Sequence, residues 1–153
     1  MNPSDTPIAI GSDHAGVELK ALLRRTLEEA GHAVEDCGTH GPESVDYPDY
    51  GDRVAAAVLE GRARFGVVVC GTGIGISIAA NRHKGIRCAL VSETTSARLT
   101  RQHNDANVLA LGARMIGPEI ALDCLRTFLA TPYEGGRHER RVAKLSPDRA
   151  PAA

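Results

Sequence analysis

Short apolar runs alternate along the chain with longer segments in which apolar residues recur every three or four positions. The runs Pro7–Ser12, Ala33–Cys37, Phe65–Cys70, Arg87–Val91 and Val108–Leu111 predict five strands. The third, Phe65-Gly66-Val67-Val68-Val69-Cys70, has no charged position, the pattern of a parallel strand covered on both faces. The periodic segments predict helices. Leu19, Leu22, Leu23, Leu27 and Ala30 share one helical face, and Gly31 supplies the stop. Further helices are expected at Asp49–Gly61, Ile74–His83, Thr94–Asn104 and Pro118–Ala130, the last with a stripe of Ala121, Cys124, Leu125 and Phe128. A short charged helix is expected within Gly135–Lys144.

Strands separated by helices of this length build βαβ units and one parallel sheet. The expected fold class is α/β, a three-layer αβα sandwich around a Rossmann-like, doubly wound, parallel five-stranded sheet. The 153 residues fit a single domain, 1–153, with about 1–6 and 146–153 expected to be flexible. A formal charge of -1 and only five aromatic residues, with no Trp, give no electrostatic or stacking platform for nucleic acid. No apolar run approaches the ~20 residues that a membrane helix needs, and no signal-peptide pattern opens the chain. Cys37, Cys70, Cys88 and Cys124 are far apart, with no CxxC pair, which reads as reduced thiols in a cytoplasmic protein.

Parallel sheets of this kind take ligands at the carboxyl ends of their strands. The third strand ends in Cys70-Gly71-Thr72-Gly73-Ile74-Gly75-Ile76-Ser77 and a helix follows. Glycines at alternate positions let backbone N–H groups turn toward an anion, and the helix dipole adds to the effect. A dinucleotide fingerprint would need glycine where Ile76 stands, and a P-loop would need a Lys that is absent. A small oxyanion such as an enediolate is the better guest. Cys70 precedes this loop, where the helix terminus favours thiolate and hence base chemistry. A core cysteine ending a strand is the plainer alternative.

The first strand ends in Asp13-His14. Capping alone accounts for Asp13, but not for His14, since histidine is better placed at a helix C-terminus. His103 and Asn104 close the fourth helix, where both are ordinary terminating residues. Arg137 and Arg141 lie four apart, on one face of the last helix. They fit a phosphate clamp, or simply a solvated basic face.

These residues together resemble the ribose-5-phosphate isomerase B family, which includes the galactose-6-phosphate isomerase subunits. The resemblance runs from about Ile8 to about Val142. It rests on Gly11–Gly16, Asp46-Tyr47-Pro48, Cys70–Asn81, Ser96–Asn107 and Tyr133–His138 in the family's order and spacing. The resemblance implies aldose–ketose isomerisation through a cis-enediolate, without metal or organic cofactor. It implies Cys70 as the base, since Ile76 stands where other members carry a Glu. Gly71, Thr72, Gly73, Ile74 and Gly75 would hold the enediolate through their amides. His103 would open the furanose ring, with Thr72 assisting. Asp13, Tyr47 and Asn104 would bind sugar hydroxyls, and His14, Arg114, Arg137 and Arg141 the phosphate. The family also implies a homodimer, or a dimer of dimers, with shared active sites.

The expected reaction is thus ribose 5-phosphate to ribulose 5-phosphate. A six-carbon sugar phosphate, allose or galactose 6-phosphate, is the nearest alternative, because sequence does not give the cavity length. A non-catalytic nucleotide-binding module is the alternative from another class. The missing fingerprint glycine and the presence of Cys70 argue against it.

Overall fold

A computed structural model describes residues 5–145 and 151–152. The expected flexibility of the termini falls almost wholly on residues outside this range. The elements are β1 (Ile8–Ser12), α1 (Val17–Glu29), β2 (Val34–Asp36), α2 (Tyr47–Leu59), β3 (Phe65–Cys70) and α3 (Ile74–Asn81). They continue with β4 (Cys88–Leu90), α4 (Thr94–Asn104), β5 (Val108–Gly112), α5 (Pro118–Ala130) and α6 (Arg137–Ala143). All strand pairs are parallel, in the order β2-β1-β3-β5-β4. The α/β sandwich read from the apolar pattern is therefore the architecture observed.

Several boundaries differ from the sequence reading, four of them for a local reason. Strands β2 and β4 have three residues each. Both lie at sheet edges, where a strand has one neighbour to pair with. Helix α2 begins at Tyr47, two residues early, because Pro48 occupies its first turn, where the missing N–H has no partner to lose. Helix α3 ends at Asn81. The Asn81 amide pairs with the Cys88 backbone in both directions, at 2.8 and 2.9 Å, and ties the chain to β4.

The strands' period of two sorts their side chains into two cores. Ile8, Ile10, Val67, Val69, Leu109 and Leu111 face α1, α4 and α5, where Leu23, Leu27, Ala97, Leu125 and Phe128 cover them. Ala9, Val68, Cys70, Val108 and Ala110 face α2 and α3, under Tyr50, Val54, Ile76 and Ala80. Strand β1 has β2 on one side and β3 on the other, so successive connections leave it in opposite directions. A crevice opens at such a switch point, beyond the carboxyl ends of the strands. The residues there are Asp13-His14 and the loop after Cys70.

Among the described residues no helix is long and apolar enough to cross a membrane.

Candidate active site

The loop from Gly71 to Gly73 is held to β5. The Ala113 and Arg114 N–H groups donate to the Cys70 and Gly71 carbonyls, each at 2.9 Å. Gly73 adopts φ 76°, a left-handed conformation that starts α3 without side-chain strain. Its N–H donates to Cys70 Sγ at 3.2 Å. That sulfur is buried, and an amide pointing at it stabilises negative charge on it. Burial pushes the thiols of Cys37, Cys88 and Cys124 up to about 11, about 12 and about 11, so all three stay protonated at neutral pH.

The loop amides are arranged differently from the expectation that Gly71 to Gly75 all face a ligand. The Gly73 N–H points to Cys70 Sγ, and the Ile74 N–H to Thr72 Oγ1 at 3.2 Å. Two of the five amides are therefore already engaged within the loop. The Gly75 N–H, in the first turn of α3, has no acceptor within the helix.

Four side chains surround this loop. Asp13 is 7% exposed and caps the turn His14–Gly16, accepting from the Ala15 N–H at 3.0 Å. Its own N–H donates to the Val69 carbonyl at 3.2 Å, which sets Asp13 beside Cys70. His14 Nδ1 accepts from the Val45 N–H at 3.2 Å, which leaves Nε2 as the ring nitrogen able to donate. Tyr47 lies over Gly75, where a Cβ would come within 2.6 Å of its Cζ. Arg114 lies over Gly71, where a Cβ would come within 3.2 Å of its Nη1. A cation, a histidine donor and turned amides thus meet at one strand end.

His103, Asn104, Arg137 and Arg141 are not part of this group. They line a separate cavity of about 320 Å³ with His138 and Val142. The cause is topological. Helix α4 starts after the carboxyl end of β4 and runs back to the amino end of β5. Arg87, just before β4, donates from Nε to the Asn104 carbonyl at 3.1 Å and fixes that placement. Five paired residues of β3 and β5 separate the two ends, roughly 15 Å of strand.

The chain matches the ribose/galactose isomerase family model over residues 8–145. The chain belongs to that family. It is a sugar phosphate isomerase. Ribose-5-phosphate isomerase B of Escherichia coli is 49% identical over 139 residues, covering 91% of this chain and 93% of that protein. The structure of Clostridium thermocellum ribose-5-phosphate isomerase B is 52% identical, with a TM-score of 0.90, covering 91% of this chain and 94% of the other. A D-erythrulose-4-phosphate isomerase of Pectobacterium atrosepticum is 41% identical, covering 90% of this chain and 91% of its own length.

Within this isomerase, sequence reasoning missed His138, which lines the second cavity, and Glu134 beside it. His138 is 5% exposed and stacks on His103, with ring centroids 4.5 Å apart and planes 16° from parallel. Glu134 Oε2 lies 3.4 Å from His138 Nε2. A His four residues after a Glu, on a segment with three arginines, was the available signal. The ligand atoms of His103, Glu134 and His138 lie within 4.8 Å of one another. They are poorly shaped for a metal ion. Imidazole lone pairs lie in the ring planes, and nearly parallel planes cannot both aim at one ion.

Proposed function

We propose that the chain interconverts ribose 5-phosphate and ribulose 5-phosphate, at sites shared between two copies of itself. One observation carries the reading: a buried Cys70 accepts a hydrogen bond from the loop that follows it, with Asp13 alongside and Arg114 above. The ribose 5-phosphate activity named for the relatives at 49% and 52% identity supports the five-carbon substrate.

The reaction begins with ring opening. His103 takes the C1 hydroxyl proton as the C1–O4 bond breaks, C1=O forms, and the proton passes to O4 with the Thr72 hydroxyl as relay. Cys70 thiolate then removes the C2 proton. The C2–H electron pair becomes the C1=C2 bond, and O1 carries the negative charge. The loop amides not engaged by Cys70 and Thr72 stabilise that oxygen where charge develops, an effect of about 100- to 1,000-fold per donor. The O2 proton moves to O1, and Cys70 returns its proton to C1 as C2=O forms. Asp13, Tyr47 and Asn104 hold the sugar hydroxyls. His14, Arg114, Arg137 and Arg141 hold the phosphate, whose binding energy orients the sugar and so supports turnover as well as affinity. The whole chain acts as one isomerase unit.

Distance within one chain supports shared sites. Cys70 and His103 sit at opposite ends of the sheet in one chain, so the His103 group reaches the Cys70 loop from a second copy. Around that loop Tyr47, Ile74, Ile78 and Leu90 are exposed apolar side chains, which a second copy would cover.

The test is complementation. Cys70→Ser and His103→Ala chains are each prepared alone and then co-expressed. Neither alone should turn over ribose 5-phosphate appreciably. With random pairing, about a quarter of shared sites carry both native residues, so activity should return to about a quarter of wild type. No recovery in mixed oligomers of proven composition would place both groups in one chain's site.

A further inference from the structure

The structure assigns His138 a positioning role toward His103: its ring is a flat platform that fixes the plane of the His103 imidazole, and Glu134 fixes the platform. The inference rests on the ring-opening role proposed for His103.

His103 is at the last turn of α4 and half-buried, and no hydrogen bond holds its ring among those of the described residues. An imidazole on a helix end rotates freely about its two side-chain torsions unless packing stops it. What contacts its face is His138, at 4.5 Å and 16°. His138 comes from α6, a different element, and is almost wholly buried. Its Nε2 faces Glu134 Oε2 at 3.4 Å, so its own rotation is restricted. Glu134 is in turn anchored through its backbone, whose N–H donates to the Gln102 carbonyl at 3.2 Å, one residue before His103. The chain of contacts therefore closes on itself: α4 carries His103 and seats Glu134, Glu134 orients His138, and His138 stacks on His103.

Proton transfer to a ring oxygen depends on where the imidazole nitrogen points, and about 1 Å of displacement costs on the order of 100-fold. Stacking restricts the ring to one plane without consuming either of its nitrogens. Both remain for the substrate. A hydrogen-bonding partner in place of His138 would occupy one of them.

The test compares two substrates of the intact oligomer. Ribose 5-phosphate must open its ring. An aldose 4-phosphate of four carbons cannot close a furanose, because the oxygen that would close it is esterified. His138→Ala should lower kcat on ribose 5-phosphate by about 10- to 100-fold and change kcat on the four-carbon substrate less than about threefold. His138→Phe, which keeps a flat ring, should recover most of the ribose 5-phosphate rate. Glu134→Gln, which keeps an acceptor for Nε2, should stay within about threefold of wild type. Equal losses on both substrates for a folded His138→Ala chain, or no rescue by His138→Phe, would overturn the platform role. His103→Ala is measured in parallel. Should it lose both substrates equally, the ring-opening reading itself fails and this inference with it, a pattern distinct from a selective His103→Ala with an unselective His138→Ala.

Discussion

Gly73→Ala tests whether the catalytic loop is pinned by its own backbone. The native residue sits at φ 76°, where a residue with a side chain pays about 1–2 kcal/mol. An added Cβ would lie 2.6 Å from Leu90 Cδ1, 2.8 Å from the Leu111 carbonyl carbon and 3.0 Å from the Gly112 nitrogen. Leu90 can move. The other two atoms are backbone of β5 and cannot retreat without opening the Cys70–Gly112 register. Overpacking of this kind costs about 1–3 kcal/mol, so the total is about 2–5 kcal/mol. Gly61→Ala provides the internal control, because Gly61 has nearly the same torsion, φ 75°, with nothing within 4 Å of its ideal Cβ. It should cost only the torsional part, about 1–2 kcal/mol. For a chain of this size each kcal/mol lowers the melting temperature by about 2–4 °C. Thermal unfolding should therefore show a loss of about 4–20 °C for Gly73→Ala and about 2–8 °C for Gly61→Ala. Turnover discriminates further. Shifting the Gly73 turn, and with it Cys70 Sγ and the neighbouring loop amides, by about 1 Å should cost on the order of 100-fold in turnover, while Gly61→Ala leaves turnover unchanged. Equal melting shifts in the two variants, or full activity in Gly73→Ala, would refute the claim that contact with β5 holds the loop.

Two further outcomes follow from the same geometry. Cys70→Ser keeps an acceptor for the Gly73 N–H, so it should leave the melting temperature and inhibition by inorganic phosphate nearly unchanged while lowering kcat by about 100- to 10,000-fold; a rate within tenfold of wild type would move the base role elsewhere, with Asp13 the next candidate. Acid stability should depend on Asp36: burial pushes its carboxyl up, but the Lys20 ammonium at 2.6 Å and the Gly38 N–H at 2.9 Å outweigh this and hold it below the ordinary range. A lowered folded-state value contributes stability above the unfolded value of about 4, lost as pH falls through the folded value. The melting temperature should thus be steady from pH 7 to 5 and fall below about pH 4. Asp36→Asn should start lower at pH 7 and fall less steeply in acid; parallel acid slopes would refute the role.

Much of this was legible in local sequence. The unbroken apolar run of β3 announced a strand covered on both faces, and it is buried from Gly66 to Cys70. Helices α4 and α5 start and stop where periodicity and Pro118 placed them. The glycine spacing after Cys70 identified a tight strand-to-helix turn, and Gly73 does take the left-handed conformation such a turn needs. What glycine spacing does not encode is which amides remain available. The use of the Gly73 and Ile74 N–H groups by Cys70 and Thr72 depends on side-chain rotamers within the turn.

Sequence alone determined the alternation of strands and helices, the anion-ready loop and the residue types beside it, because those properties arise from contacts within a few positions. Tertiary structure decided which of the chemically capable residues meet. Asp13 and Cys70 lie 57 positions apart yet share a crevice, since β1 and β3 are neighbours at the switch point. His103 lies closer to Cys70 in sequence and ends at the other end of the sheet, since a helix that follows a parallel strand carries the chain back to where the next strand begins. The stacking of His138 on His103 likewise exists only because α6 packs against the end of α4, a contact between elements that no local periodicity records.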